Sequence, residues 1–499
     1  MRNFILLFNL IVMLVSCQNE LDENHTPIID NNSKTEVSEA SIEIFSKILS
    51  KAVNSDGDLR NFIKAEALKK MTMDYDVFYP VIKDKIVHSG LTFRDILLQF
   101  VDNEETLKKI EYELPLLTIF IPNLPSGFSP ETWDSENEIP CTTTGRIMRD
   151  SIFYYEDGKN VFSTLGDLIP GFPVLVLKNN ERIKRSQGLT KAATAVNYEY
   201  EFIDEVFNGI NPPITTKADY LYDDAENQFI LNAYREMGVN GYKWQRDNIY
   251  YGFTSTSDEN THGAIDRSVV EWMGWFYLEA EALNKIADQE GVDPLVKDKS
   301  VVNTGNTPAV QAGFWTDGQF EFKIDVLINN ISGLGSSITK YFFCDPIQLF
   351  EMEYDFVSKV GERRTYKRTG VHKSLQGKYL NIDLVTWDLE SNGFSWKFLI
   401  SEIDDQQQET RRDSNTSEFA ANFSGGFKIG INFGVSVKDT RTNEYTLVTY
   451  KNSDDLGTLE LNFSDPVILG EHPSMPNYYS TFNLKNRYVE LQVIPRKRY

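Results

Sequence analysis

The feature that most constrains the fold is an alternation of apolar and polar residues in the second half of the chain. It is clearest over 427–437 and recurs over 320–328 and 394–400. Successive side chains of a β-strand point to opposite faces, so each segment predicts a strand with one buried face and one solvent-facing face. Such strands form antiparallel sheets, which bury their apolar faces by packing together. We therefore predict a sandwich-like domain over 246–499, with a jelly roll or a barrel as alternatives.

The segment 320–328 makes this prediction specific. Its apolar residues, from Phe320 to Ile328, would face the core, whereas Glu321, Lys323 and Asp325 would face water. The segment 268–290 begins with a strand pattern and ends with a helical one. Similar patterns predict further strands near 347–356, 378–387, 444–450, 458–463 and 487–494.

The first part of the chain has a helical period instead. Phe45, Leu49 and Ala52 are four and three residues apart, as on one face of an α-helix. The predicted fold class is therefore α+β and multidomain: an N-terminal helical region with a small mixed α/β unit precedes an all-β antiparallel sandwich-like domain. Helices are predicted over 75–87, 93–101, 104–113 and 225–237, and strands over 116–121, 147–155 and 173–178.

The first seventeen residues, MRNFILLFNLIVMLVSC, have the plan of a secretory signal. Arg2 precedes an apolar run from Phe4 to Val15, which is too short to span a bilayer. The last four residues, LVSC, resemble the lipobox of bacterial lipoproteins. This resemblance implies cleavage before Cys17 and lipidation of its thiol, which would anchor the chain without a transmembrane helix.

Three further segments resemble bacteroidete lipoproteins. The acidic tract QNELDE after Cys17 resembles the export signal for the outer face of the outer membrane, and a merely acidic tether is the alternative. The segments DYDVFYPVIKDKIVHSGLTFRDIL and PVLVLKNNERI resemble an uncharacterised family of such lipoproteins. Since that family has no assigned activity, the resemblance implies a location, a lipid-anchored protein of the bacterial outer membrane, and no reaction.

Composition and pattern together divide the chain. The predicted parts are a signal peptide (1–16), a lipidated flexible tether (17–38), a helical plus small β domain (39–185), a connector (186–245) and the β-sandwich-like domain (246–499).

The formal net charge of −23 limits the possible partners. A strongly acidic protein repels phosphate backbones, so nucleic acid is not an expected partner, whereas cations, glycans and basic proteins are. Beside Cys17, the chain has only Cys141 and Cys344, which are far apart in sequence. We predict that both are isolated residues that behave as small apolar side chains, although a disulfide between them stays open.

The sequence lacks the catalytic motifs H-E-x-x-H, G-x-S-x-G, Walker A and G-x-G-x-x-G. A helix-borne zinc protease site is thereby excluded, whereas a zinc site assembled from distant residues stays open. Acidic loops are the remaining signal. The segment SDDLG resembles a loop of calcium-binding C2 domains, which implies calcium ligands at Asp454 and Asp455, with Asp404 and Asp405 from a second loop. Solvated acidic turns are the alternative, and no other cofactor is predicted.

Aromatic residues are the other candidates, because flat tryptophan faces bind sugars and proteins. Trp315 precedes a turn and is predicted to be exposed and ligand-binding, whereas Trp396 falls on an inward face. The main hypothesis is a non-catalytic role in binding a ligand, a glycan or a protein partner at the cell envelope. An extracellular polymer hydrolase with unidentified carboxylates is the alternative. A third interpretation treats 427–437 and 444–450 as a hairpin that inserts into a membrane.

Overall fold

The computed structural model describes most of the chain after residue 30. The described ranges are 31–145, 147–148, 151–165, 168–187, 198–209, 221–222, 224–238, 244–256, 264–286, 318–330, 335–403, 408–420, 437–450 and 453–498. Cys17, Trp315, Asp404 and Asp405 lie outside these ranges, as does nearly all of the predicted strand 427–437.

The described helices and strands follow, in chain order. The helices are α1 (Asn31–Ser55), α2 (Gly57–Ala67), α3 (Tyr79–Ile82), α4 (Phe93–Leu98), α5 (Glu104–Glu113), α6 (Gln228–Met237), α7 (Gln245–Tyr251), α8 (Leu283–Ile286), α9 (Pro346–Leu349) and α10 (Leu389–Asn392). The first strands are β1 (Asp76–Phe78), β2 (Ile86–His88), β3 (Leu91–Thr92), β4 (Leu117–Phe120), β5 (Cys141–Thr143), β6 (Ile147–Met148), β7 (Ser151–Glu156), β8 (Lys159–Leu165), β9 (Leu168–Pro170), β10 (Val174–Asn179), β11 (Ile183–Gln187), β12 (Tyr198–Phe202) and β13 (Leu221–Tyr222). The later strands are β14 (Val269–Leu278), β15 (Phe320–Ile328), β16 (Ser336–Cys344), β17 (Phe350–Val360), β18 (Arg363–Lys373), β19 (Lys378–Asp383), β20 (Ser395–Glu402), β21 (Gln408–Ala420), β22 (Val437–Tyr450), β23 (Asp454–Asn462), β24 (Ile468–Glu471), β25 (Tyr478–Thr481), β26 (Asn483–Lys485) and β27 (Val489–Lys497).

The first part of the chain packs helices against a mixed sheet. The helical face predicted from Phe45, Leu49 and Ala52 is confirmed, because all three residues are fully buried on α1. Helix α1 packs against α5 and against strands β5 and β7 of a seven-stranded sheet. That sheet has the order β1-β4-β10-β5-β7-β6, with β8 paired to β7, and β10 and β5 are its parallel pair.

Two of the predicted elements in this part were wrong. The segment predicted as a helix over 75–87 forms the strand β1, the single turn α3 and the strand β2. Proline is tolerated in the first turn of a helix but not in its interior, so Pro80 does not fit the middle of a helix over 75–87. In addition, Val77 pairs with Ile119 of β4, a contact that local periodicity does not reveal. The predicted strand 147–155 is instead two strands, β6 and β7, which pair antiparallel with Ile147 opposite Ile152.

Two four-stranded antiparallel sheets dominate the C-terminal part, with the orders β19-β14-β27-β26 and β16-β15-β20-β23. They meet through aromatic side chains: the ring of Phe276 lies 5.1 Å from that of Phe322 and 4.9 Å from that of Phe342, centroid to centroid. Smaller sheets, β17-β18-β9 and β13-β25-β24, and the long hairpin β21-β22 accompany them. The predicted α+β class, with helices mostly N-terminal and antiparallel sheets C-terminal, is confirmed.

Strand β15 departs from the predicted pattern of one buried and one wet face. Its bounds match the prediction, yet Glu321, Lys323 and Asp325 are 3%, 2% and 4% exposed. The expected solvent face is covered by other parts of the chain: Arg182 binds Glu321, and the ammonium group of Lys323 binds both Asp325 and the carbonyl of Val448 on β22. The charged residues of β15 therefore form buried ion pairs instead of a hydrated face.

The two parts of the chain are joined by a strand and by an ion pair. Strand β9 pairs antiparallel with β18, with Ile169 opposite Tyr366. Arg182, which follows β10, reaches Glu321 on β15 with its Nε at 2.6 Å from the carboxylate oxygen. Contacts therefore cross the predicted boundary at 185.

Candidate ligand-binding pocket

Of the predicted calcium ligands, the structure describes Asp454 and Asp455 at the start of β23. Asp454 is buried, and its backbone lies opposite Glu402 of β20. Asp455 is exposed, and its carboxylate accepts the Gly457 N–H at 2.7 Å, as in a solvated acidic turn. The calcium site stays a prediction, because Asp404 and Asp405 lie outside the described residues. Cys141 and Cys344 are free, as predicted, and the structure shows that both are buried, which raises the pKa of the Cys141 thiol to about 11.

A pocket of about 580 Å³ lies on the sheet β19-β14-β27-β26, on the side that faces away from Phe276 and β15. We call it the sheet-face pocket. Trp272 of β14 and Tyr379 of β19 form its aromatic wall, with ring centroids 5.6 Å apart and planes nearly perpendicular. Tyr379 is half-buried, so part of its ring faces the pocket.

A β-bulge explains how the aromatic wall forms. The register of β14 shifts between Met273 and Trp275, so Trp272 and Trp275, which are three residues apart, both contact the ring of Tyr379. A Cβ at the intervening Gly274 would lie 2.2 Å from Gln492 Oε1 and 2.9 Å from the Trp272 ring, so a larger residue there would displace both side chains.

Arg496 of β27 fixes the polar side of the pocket. Its guanidinium donates to Asn381 Oδ1 at 2.7 Å, lies 2.7 Å from Asp383 Oδ1, and stands 5.1 Å from the centroid of the Trp272 ring. The Trp272 indole N–H also donates to Asn381 Oδ1, at 3.3 Å. Asn381 has the positive φ of 55°, a conformation that asparagine tolerates better than most residues. These contacts orient charged and amide groups before any ligand arrives.

The segment that leads into α6, together with the first turn of that helix, forms another wall. Asp224, Glu226 and Phe229 line it, and the Lys497 ammonium lies 5.3 Å from the centroid of the Phe229 ring. Arg498, also in the lining, donates to the carbonyl of Leu384 at 3.1 Å. The pocket thus combines aromatic surface with carboxylates, cations and an amide.

This combination suits a ligand that has apolar faces and many hydroxyl groups. Aromatic rings cover apolar C–H faces, while carboxylates and guanidinium groups exchange hydrogen bonds with hydroxyls. Small-molecule sites commonly pair such apolar surface with a few fixed polar groups. Sequence reasoning missed Tyr379, Asp383 and Arg496. The available signal was the aromatic-rich segment containing Trp272 and Trp275, but alternation places those two residues on opposite faces.

Comparison with protein-family models, with curated proteins and with solved structures gave no match. None of the helices within the described ranges is both long and apolar enough to cross a membrane. The function must therefore be inferred from the pocket and from the sequence.

Proposed function

We propose that this protein is a lipid-anchored component of the bacterial outer membrane that binds a carbohydrate in the sheet-face pocket, without catalysis. The observation that carries the proposal is the wall of Trp272 and Tyr379 beside the ordered polar group of Arg496, Asn381 and Asp383. In this proposal the packed four-stranded sheets act as a β-sandwich that presents the pocket, and the tether after Cys17 links it to the membrane.

The surroundings of Asp383 are those of a hydrogen-bond acceptor and not of a general acid. A glycosidase needs a pair of carboxyl groups, one of them in surroundings that keep it protonated as a general acid. Asp383 instead lies in an ion pair with Arg496, with Arg498 Nε 3.8 Å from its other oxygen. Such a carboxylate is suited to accepting hydrogen bonds from hydroxyl groups.

Replacing Tyr379 by alanine is expected to weaken carbohydrate binding about tenfold, which corresponds to about 1.4 kcal/mol, because the ligand loses a stacking surface. Binding should be measured on a microarray of oligosaccharides and then by calorimetry with the best binder. Tyr366→Ala is the matched control, since Tyr366 is also a half-buried strand tyrosine but lies on β18, outside the pocket. Equal binding by Tyr379→Ala and the natural protein, or no binding to any sugar, would overturn the proposal. Shortened oligosaccharides in the reaction would instead support the hydrolase alternative.

Replacing Cys17 by serine is expected to abolish membrane attachment and to leave a soluble, folded protein. The thiol is the proposed acylation site, and stable anchoring requires the acyl chains. Fractionation of cells that produce each form, followed by detection in the membrane and soluble fractions, measures the effect. If Cys17→Ser stays in the membrane fraction, the lipid anchor is refuted.

A further inference from the structure

A second group of polar side chains lies far from the sheet-face pocket in sequence, where α2 begins. Asp56 caps this helix, and its Oδ1 accepts the Leu59 N–H at 3.0 Å. Asp58 lies in the first turn of α2 and is exposed. Capping requires only Asp56, and within the described ranges the Asp58 side chain makes no hydrogen bond to another residue.

A histidine from a separate hairpin completes the group. His88 ends β2, and its Nε2 lies 2.7 Å from Asp56 Oδ2, the oxygen that does not cap the helix. One ligand atom each from Asp56, Asp58 and His88 can be chosen so that all three lie within 4.8 Å of one another. Two atoms bound to the same zinc ion at about 2.0–2.2 Å are roughly 3–4 Å apart, so small side-chain movements would bring all three into coordination.

We propose that Asp56, Asp58 and His88 bind a divalent transition metal ion such as Zn²⁺. Imidazole nitrogen with carboxylate oxygen is a donor set for zinc and its neighbours, whereas calcium prefers oxygen alone. The cap bond from Leu59 orients the Asp56 carboxylate, as hydrogen bonds commonly do for metal-binding carboxylates. The site is independent of the proposed carbohydrate binding.

The surroundings leave room for further ligands on the metal. The three residues line a groove of about 700 Å³, together with Asn61 and Gln99. Three protein ligands beside an open groove resemble the zinc sites that keep a position for water or substrate, more than closed structural sites with four protein ligands. Helix capping and a His–Asp ion pair alone would not require such a groove beside the three side chains, whereas a metal site open to a further ligand would.

The test is titration of the full-length, tag-free protein with Zn²⁺ by calorimetry, and with Co²⁺ by visible absorption. We expect one saturable site, an affinity lower by about 10–100-fold in both His88→Gln and Asp58→Asn, and loss of the nitrogen-dependent Co²⁺ spectrum in His88→Gln. Asp102→Asn is the control, because Asp102 is an exposed aspartate in the loop before α5. Neither test variant removes the helix cap, and circular dichroism should show both to be folded.

Three results would overturn the proposal. The first is the absence of a one-to-one site, and the second is unchanged Zn²⁺ affinity in His88→Gln. The third is a site that Ca²⁺ fills as tightly as Zn²⁺ and that does not depend on His88, which would indicate an oxygen-only site. Because sugar binding is measured separately with Tyr379→Ala, failure of the metal site leaves the proposed function untouched.

Discussion

Arg182→Met is expected to lower the free energy of unfolding by about 3–5 kcal/mol at neutral pH, the usual loss when one partner of a buried ion pair is removed. The Arg182 side chain is fully buried, and its Nη1 donates to the carbonyl of Thr72 at 2.7 Å. Its guanidinium contacts the carboxylate of Glu321 and lies 3.7 Å from that of Asp74. Methionine fills much of the same volume but removes the cation that these two buried carboxyl groups face.

The decrease in the free energy of unfolding that Arg182→Met causes is expected to be larger at higher pH. Burial raises the pKa of Glu321 to about 8 from its ordinary 4.5, and attraction to Arg182 and Lys178 offsets only part of that rise. Burial likewise raises the pKa of Asp74 to about 6. The folded state therefore binds protons more tightly than the unfolded state, so the stability linked to these groups is complete below about pH 4 and is lost as pH rises through 6 to 8. Attraction to Arg182 lowers both pKa values, so removing Arg182 raises them further and the stability falls more steeply as pH rises.

Urea unfolding at pH 5.5 and pH 8 measures both effects. The control is Arg267→Met, because Arg267 is largely exposed and pairs with Asp388 at 3.0 Å at the surface, where such pairs contribute about 0–1 kcal/mol. An equal loss for Arg182→Met at both pH values would show that packing, not charge, holds the two parts together.

Trp396→Ala is expected to lower the free energy of unfolding by about 3–5 kcal/mol, because it leaves a cavity in the core. Trp396 of β20 is fully buried and stacks on Trp387, with ring centroids 4.3 Å apart and planes 18° apart. Trp387 in turn meets Phe463 edge to face. The cavity would therefore open within a contiguous aromatic cluster that has little freedom to collapse.

Trp396→Phe is the matched variant for this prediction. The Trp396 indole N–H has no hydrogen-bond partner within the described part of the chain, so phenylalanine loses no hydrogen bond and keeps a stacking ring. Thermal and urea unfolding should show a clearly smaller loss for Trp396→Phe than for Trp396→Ala. Similar losses in the two variants would contradict the prediction and would indicate that the indole N–H makes a stabilising polar contact.

Local sequence patterns predicted the helices and strands that are determined by short-range periodicity. Helix α5 and strand β15 have the predicted bounds, and Trp396 is buried as its position on the alternating segment indicated. The failures have physical causes outside any short window. Glu321 was predicted to face water because its partner, Arg182, lies 139 residues away.

The candidate site could not be predicted for a related reason. A single bulge at Gly274 reverses the alternation of β14, so Trp275 turns to the same side as Trp272. Asp383 and Arg496 of the pocket come from β19 and β27, whose pairing with β14 is fixed by the whole sheet. Tyr379 and Arg496 carry no motif, and neither stood out among the many tyrosines and arginines of the chain.

The pairing of β9 with β18 has a consequence for biosynthesis. The ribosome releases residues 168–170 and Arg182 long before β15 and β18, so β9 and Arg182 lack these partners until both strands have been synthesised. A fragment starting at residue 246 would leave an open edge on β18 and a carboxyl group at Glu321 without its cation. The C-terminal half is thus expected to fold fully only when the N-terminal half precedes it in the same chain.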